Sequence, residues 1–320
     1  MLVEWTFGLL VVVVLVVLSR GRPVRKLVLA ALRYSGDCPK HVAVIMDGNR
    51  RWARRKSMAF RDGHRRGGNT MVEFLTWCRD ADISTITVYA FSIENFKRPK
   101  GEVDYIMDLA IQNVEDMLQP WSAVHKERIR VRFWGEMDMV PKTLRVLAAK
   151  LTCVTSKYEG ASLNICFAYT SRVEIAQAIA AVTNAISDGI VPDEVNEELL
   201  AEFLESGTCR GGLKSDGWPD VLIRTSGETR LSDFLLWQSA FSHLAFLRVM
   251  WPDFNAFHYS RVVLSYRRAK ADMDKRAARY QEYMRRKHTS QALPHETKEA
   301  LYNIRHMYAN NLATTAAGSC

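Results

Sequence analysis

The chain lacks the features that organise small secreted, metal-clustered or fibrous proteins. Its six cysteines, Cys38, Cys78, Cys153, Cys166, Cys209 and Cys320, are scattered, with no C-x-x-C pair and no histidine at zinc-ligand spacing. That pattern excludes a structural zinc site and a disulfide framework, and it fits reduced thiols. No N-x-[ST] acceptor occurs, which favours a body outside the secretory lumen. There is no internal repeat, no low-complexity tract and no C-a-a-X box. Glycine becomes scarce late in the sequence, where Gly318 alone follows Gly227.

What is present is ordinary in amount and uneven in placement. Of 320 residues 48% are hydrophobic and 25% charged, near the globular average, and the length suffices for a sizeable core. The excess of 44 basic over 35 acidic residues, a net charge of +9, suits a phosphate-bearing partner: nucleic acid, anionic lipid or a small diphosphate. One long apolar run stands out, WTFGLLVVVVLVVL from Trp5 to Leu18, followed by Arg20, Arg22, Arg25 and Lys26. It falls short of the roughly 20 residues of a full span. It also lacks the basic leader of a cleaved signal, because Glu4 precedes it and the cations follow it. The run reads as an uncleaved anchor or interfacial helix, with the remainder of the chain in the cytosol.

Beyond Gly36, short β-branched runs at 41–46, 84–91, 128–135, 163–169, 220–225 and 245–251 alternate with amphipathic stretches at 64–80, 102–119, 141–158, 171–187 and 232–240. This alternation predicts an α/β fold: a single domain with a mainly parallel central sheet flanked by helices. The expected organisation is an anchor and basic linker over 1–36, a catalytic domain over 37–255, and basic C-terminal helices with a flexible tail over 256–320. Ligands of open α/β sheets bind beyond the carboxyl ends of the strands. Three strand-end loops there carry concentrated polar chemistry.

The first loop reads Asp47-Gly48-Asn49-Arg50-Arg51-Trp52. A strand-end carboxylate is a natural ligand for Mg²⁺, Gly48 permits close backbone approach, and Arg50 and Arg51 offer planar forks for phosphate. A plain Asp-Gly turn with a solvated basic helix start explains the same residues taken alone. The second loop, FSIENFKRP, crowds Ser92, Glu94, Asn95, Lys97 and Arg98 ahead of a helix starting near Glu102. The third, RTSGETRLSDFLLWQ, gathers Arg224, Arg230 and the hydroxyls of Ser226 and Ser232, with a helix expected to open near Ser232.

HVAVIMDGNRRWARR, FSIENFKRP and RTSGETRLSDF resemble the three signatures of the cis-prenyltransferases, the undecaprenyl and dehydrodolichyl diphosphate synthase family. The likeness covers roughly 38–270, and the R-T-S-G-E wording is similar to the eukaryotic, dehydrodolichyl-type members. It implies condensation of isopentenyl diphosphate onto an allylic diphosphate primer, with farnesyl diphosphate as the expected primer. The product would be a polyprenyl diphosphate for dolichol synthesis and protein glycosylation, made at the endoplasmic reticulum membrane with the catalytic domain facing the cytosol. Carried over residue by residue, Asp47 holds Mg²⁺ on the allylic diphosphate, and Gly48, Asn49, Arg50, Arg51, Trp52 and His64 line that site. Ser92, Glu94, Asn95 and Arg98 orient primer and condensing group, while Arg224, Arg230 and Ser232 bind isopentenyl diphosphate. Asn95 is no base at neutral pH, so it positions a substrate or water rather than removing a proton unaided.

Three departures from the family pattern follow. The arginine expected four residues before His64 is Phe60, with Arg61 as the neighbouring substitute. The glutamate that many bacterial members place eleven residues after the serine is His243 here, a weak candidate because imidazole is a poor Mg²⁺ ligand. The R-x-G element of members that act alone is missing, which implies a Nogo-B-receptor-like partner subunit supplying it. A non-catalytic scaffold subunit is the main rival reading, yet Asp47, Arg224 and Arg230 are all kept. A nucleic-acid binder rests on charge alone and is not expected. A phosphohydrolase with an Asp47 nucleophile would want a second acid where Asn49 stands.

Overall fold

The computed structural model describes Gly36, 38–191, 195–206 and 218–287. The apolar run at 5–18, Cys209, Cys320 and the tail after 287 lie outside the described residues. Six strands form one sheet: β1 (His41–Ile45), β2 (Thr85–Ser92), β3 (Arg130–Trp134), β4 (Ser162–Tyr169), β5 (Val221–Arg224) and β6 (His243–Phe246). Every pairing is parallel, and the spatial order is β3-β4-β2-β1-β5-β6. Besides a single helical turn at Ala123–Lys126, the helices are α1 (Asn49–Arg55), α2 (Phe60–Asp80), α3 (Lys100–Leu118), α4 (Lys142–Thr155), α5 (Ser171–Ser187), α6 (Glu197–Phe203) and α7 (Ala256–Lys287).

An all-parallel sheet is buried on both faces, and β1 shows why the sequence pattern is continuous rather than alternating. Val42 and Val44 join one core with Phe74, Trp77, Trp251 and Phe254. Ala43 and Ile45 face the opposite way, toward Tyr89, Tyr169, Phe234 and Leu235. Inside the sheet a polar ladder crosses three strands: the Thr87 hydroxyl contacts His41 Nε2 at 2.7 Å and accepts from Asn164 Nδ2 at 3.0 Å. The amino-terminal part of α7 contributes Tyr259, Val262, Val263 and Tyr266 to the larger core, so this helix is part of the same packed unit. No disulfide joins Cys38, Cys78, Cys153 or Cys166, the cysteines among the described residues. No described helix is long and apolar enough to cross a membrane.

The stretch 232–240 corrects an expectation. It is a series of turns rather than a helix, with Ser232, Asp233 and Leu235 at φ of 49°, 61° and 46°. Hydrogen bonds to the start of α5 override the local helical pattern. The Leu236 N–H donates to Ser171 Oγ at 3.0 Å, and Asp233 accepts from the Arg172 N–H at 3.0 Å and from Arg172 Nε at 2.8 Å. Ser232 is therefore not the cap of a helix N-terminus. α6, by contrast, is a helix that sequence patterning missed.

Candidate active site

β1 sits between β2 and β5; the chain leaves β1 toward β2 on one side and leaves β5 toward β6 on the other, which makes the carboxyl edge between β1 and β5 the switch point of the sheet. Ile45 lies in register with Arg224, so the loops after β1 and β5 start side by side. They are tied together: Thr225 Oγ1 donates to the Asp47 carbonyl at 2.7 Å and accepts from the Asp47 N–H at 3.1 Å. Trp251 N–H closes on the same carbonyl at 3.0 Å.

Gly48 follows with φ 112°, and a Cβ there would meet Met250 Cβ at 3.0 Å and Ser226 Cβ at 3.1 Å. Only glycine suits both the left-handed backbone and the close approach. It turns the chain directly into α1, which rests on α2 at two further glycines. A Cβ at Gly63 would lie 2.3 Å from the Asn49 carbonyl oxygen, and one at Gly67 would lie 2.4 Å from Asn49 Oδ1. Asn49 is thus wedged between helices, and its Oδ1 is buried without a hydrogen-bond partner.

Arg224 organises the first half of the site. It is 4% exposed, and its Nη2 donates to Asp47 Oδ2 at 3.0 Å. Its Nη1 donates to Ser232 Oγ at 2.6 Å and to the Arg230 carbonyl. Arg51 Nη2 reaches Asp47 Oδ2 at 3.3 Å and Ser226 Oγ at 2.5 Å, while its Nη1 meets Glu228 Oε1 at 3.2 Å. The exposed Arg230 pairs with the other Glu228 oxygen. Burial alone would raise the Asp47 pKa. Hydrogen bonds from Arg224 and Ser226, with the charges of Arg224 and Arg51, outweigh it and hold the carboxyl below its ordinary value. Asp47 is therefore anionic at neutral pH.

The second half of the site lies across α1. Arg98 Nη1 donates to Glu102 Oε1 at 3.0 Å, Arg50 Nη1 approaches Glu102 Oε2 at 3.4 Å, and His64 Nε2 is 3.8 Å from Oε1, too far for a hydrogen bond. Burial and the neighbouring Arg98 hold the His64 pKa below its usual value, against the pull of Glu102. Ser92 and Asn95 form a capping box on the short 3₁₀ segment after β2: the Glu94 N–H donates to Ser92 Oγ at 3.1 Å and the Ser92 N–H to Asn95 Oδ1 at 3.2 Å. The Asn95 carbonyl oxygen is thereby committed to shaping the loop, and its amide nitrogen is the end left for a ligand.

Other expected residues stand differently. Glu94 is exposed and pairs with Lys97 at 2.5 Å. Trp52 donates from Nε1 to Asp253 at 2.9 Å. Arg61 is exposed and stacks over the rings of Phe60 and Tyr105, 5.9 and 5.2 Å from their centroids. It does not join the Glu102 group of cations. His243 opens β6 in register with Val221, at the amino edge of the sheet, roughly 10 Å of strand from the level of Arg224. Its Nε2 meets Ser265 Oγ at 3.1 Å, which takes it out of the donor set around Asp47. Glu102 and Glu228 are the polar residues that sequence reasoning did not single out.

Among the described residues no group of three histidines, cysteines or acids gathers into a metal cage. A partly exposed, anionic Asp47 still fits Mg²⁺, which is held by one or two carboxylates and completes its shell with phosphate oxygens and water.

An anionic carboxylate ringed by guanidinium groups at the switch point of a parallel sheet defines an α/β protein built to hold diphosphates. The chain belongs to the prenyltransferase family described as undecaprenyl diphosphate synthase, whose pattern it matches over residues 45–274. It is 40% identical over 254 residues to a dehydrodolichyl diphosphate synthase complex subunit of Mus musculus, covering 79% of this chain and 74% of that one. It is likewise 40% identical over 235 residues to a geranylgeranyl-diphosphate-specific tritrans,polycis-undecaprenyl-diphosphate synthase of Thermococcus kodakarensis, covering 73% and 86%. Among solved structures, lavandulyl diphosphate synthase from Lavandula x intermedia, in complex with dimethylallyl diphosphate, superposes with a TM-score of 0.65. That match has 28% identity and covers 72% of this chain and 95% of the other.

Proposed function

We propose that the chain is the catalytic subunit of a cis-prenyltransferase, elongating an allylic diphosphate with isopentenyl diphosphate to a polyprenyl diphosphate for dolichol synthesis. The observation that carries this is the join of Asp47, Arg51, Arg224 and Ser232 across the ends of β1 and β5. In each cycle the allylic carbon–oxygen bond breaks and diphosphate departs. The isopentenyl double bond attacks that carbon, and a proton is lost to leave a cis double bond.

The protein supplies positioning and charge rather than a nucleophile. Asn49, Arg50, Arg51, His64 and Arg98 would grip the allylic diphosphate, and Arg230 and Ser232 the isopentenyl diphosphate. Arg224 holds the two sets in register. Mg²⁺, held by Asp47, would supply charge neutralisation to the departing diphosphate. Each added five-carbon unit favours burial by about 3–4 kcal/mol at roughly 0.8 per CH₂, so a long product has to leave into a bilayer. An endoplasmic reticulum location with the domain facing the cytosol, anchored through 5–18, meets that need. A partner subunit is supported by the relatives named as subunits of a complex, and a Nogo-B-receptor-like chain is the candidate for it.

The test incubates the full chain, alone and with such a partner, with Mg²⁺, farnesyl diphosphate and labelled isopentenyl diphosphate. Long radiolabelled polyprenyl products, lost on chelation with EDTA, are expected. No incorporation in either form refutes the reading.

A further inference from the structure

We infer that Glu102, the third residue of α3, is the positioning residue that assembles the allylic diphosphate pocket, acting through Arg50, Arg98 and His64 without touching substrate itself. The inference rests on the proposed elongation reading and deepens it.

Glu102 is 7% exposed, yet it starts a helix on the protein surface. A first-turn glutamate ordinarily faces solvent and interacts with the helix dipole. Here the side chain turns inward and faces basic side chains from three elements: Arg50 of α1, His64 of α2 and Arg98 at the end of the second strand loop. Those elements follow two different strands, β1 and β2, and the two arginines repel one another. Arg50 and Arg98 each lower the readiness of His64 to take a proton, and Arg50 has the same effect on Arg98.

A buried carboxylate in the middle changes that balance. It compensates the desolvation of Arg98, which burial otherwise disfavours as a cation. It also holds two guanidinium groups from one side, Arg98 through Nη1 on Oε1 and, at the longer distance of 3.4 Å, Arg50 through Nη1 on Oε2. The remaining N–H groups of both forks are then preset for an anion on the other side, at little cost in side-chain ordering when it arrives. His64 Nε2 is buried without a hydrogen-bond partner, so an incoming phosphate oxygen would meet an unsatisfied group. Glu102 itself is an anion and would repel diphosphate, which is why it acts through the arginines. The isopentenyl residues Arg230 and Ser232 are set by Arg224, and Glu102 contacts none of these three, so the effect should fall on one substrate only.

The experiment compares the wild-type full chain, in whichever form is active, with Glu102→Gln and Glu102→Asp. Steady-state constants are measured for farnesyl diphosphate and isopentenyl diphosphate, together with thermal unfolding. Glu102→Gln keeps the shape and removes the charge. It should raise KM for farnesyl diphosphate by roughly tenfold or more while KM for isopentenyl diphosphate stays within about twofold, because an interaction confined to one binding site is removed. Glu102→Asp keeps the charge but draws it back by one methylene, and should give a smaller shift of the same one-sided kind. If Glu102→Gln does not fold, the aspartate variant decides the matter. Equal changes in both KM values, a fall in kcat alone that tracks lost folded protein, or no change in any constant overturns the inference. A wild-type chain that incorporates no isopentenyl diphosphate would refute the elongation reading itself, which separates the two failures.

Discussion

Replacing Arg224 tests the central join of the site most directly. The guanidinium makes three contacts at once: Asp47 Oδ2 at 3.0 Å, Ser232 Oγ at 2.6 Å and the Arg230 carbonyl. Arg224→Lys keeps the charge, but a single ammonium can satisfy Asp47 or Ser232 and not both, because it lacks the planar fork. Breaking a fully buried ion pair costs about 3–5 kcal/mol, and the partial exposure of Asp47 with its second cation, Arg51, discounts that to about 1–2 for the lysine variant. The catalytic loss should be far larger than the stability loss. Arg224 sets both Asp47 and the 230–232 turn, and losing one preorganised charge-stabilising group costs roughly 10²–10³ in kcat. Urea unfolding should therefore show a modestly shifted midpoint, while isopentenyl incorporation at saturating substrates falls by about two orders of magnitude or more. A double-mutant cycle of Arg224→Leu with Asp47→Asn should give a coupling free energy of about 1–3 kcal/mol, as groups in direct contact do. Additive effects, or a lysine variant with near wild-type incorporation, would refute the claim that this contact assembles the site.

Asp47→Ala should lower isopentenyl incorporation at least about 10³-fold while costing only about 1–2 kcal/mol in unfolding, the cost of leaving the buried Arg224 without its carboxylate partner. Gly63→Ala places a methyl 2.3 Å from the Asn49 carbonyl, so α1 must lift from α2. About 1–3 kcal/mol of stability should be lost, and KM for the allylic substrate should rise, read by unfolding and kinetics together. His41 is buried, and burial, against the backbone at Trp218 and with the added charge of Arg132, holds its pKa at about 3 rather than 6.5. The unfolded chain therefore takes up this proton first. Stability is fully present above about pH 6.5 and drains away as the pH falls toward 3, by about 2 kcal/mol at pH 5 at 1.36 per pKa unit. His41→Gln should flatten that slope in urea titrations between pH 7 and 5, and an unchanged slope would show that another group carries it.

The contrast between Asp47 and Glu102 shows what a sequence discloses about such a site. Asp47 is legible because the apolar run at 41–46 predicts a buried strand, and a carboxylate followed by glycine at its carboxyl end has no packing role there. Arg224 and Arg98 are legible for the same reason, each standing where a strand hands over to a loop. Glu102 carries no such mark: an acid in the first turn of a helix is the commonest of helix starts, and only the tertiary approach of Arg50 and Arg98 turns it inward. Gly63 and Gly67 were equally silent, because their meaning lies in the distance to Asn49, fourteen or more residues away in sequence. The misreadings have the same origin. Counting eleven residues on from Ser232 reaches His243, but where a strand begins decides which edge of the sheet a residue occupies. β6 begins at His243, so parallel pairing puts it at the far edge from Asp47. The 232–240 stretch has helical spacing, yet Ser171 and Arg172 claim its Leu236 N–H and its Asp233 carboxylate, and three residues pass into the left-handed region. Local chemistry at strand ends thus reveals which groups can bind diphosphate, whereas the groups that aim them are visible only after the strands have been set in order. The separation makes a physical demand: residues of the second kind should change the affinity for one substrate without changing the chemistry, as Glu102 is expected to do, while Arg224, which belongs to both kinds, should change both.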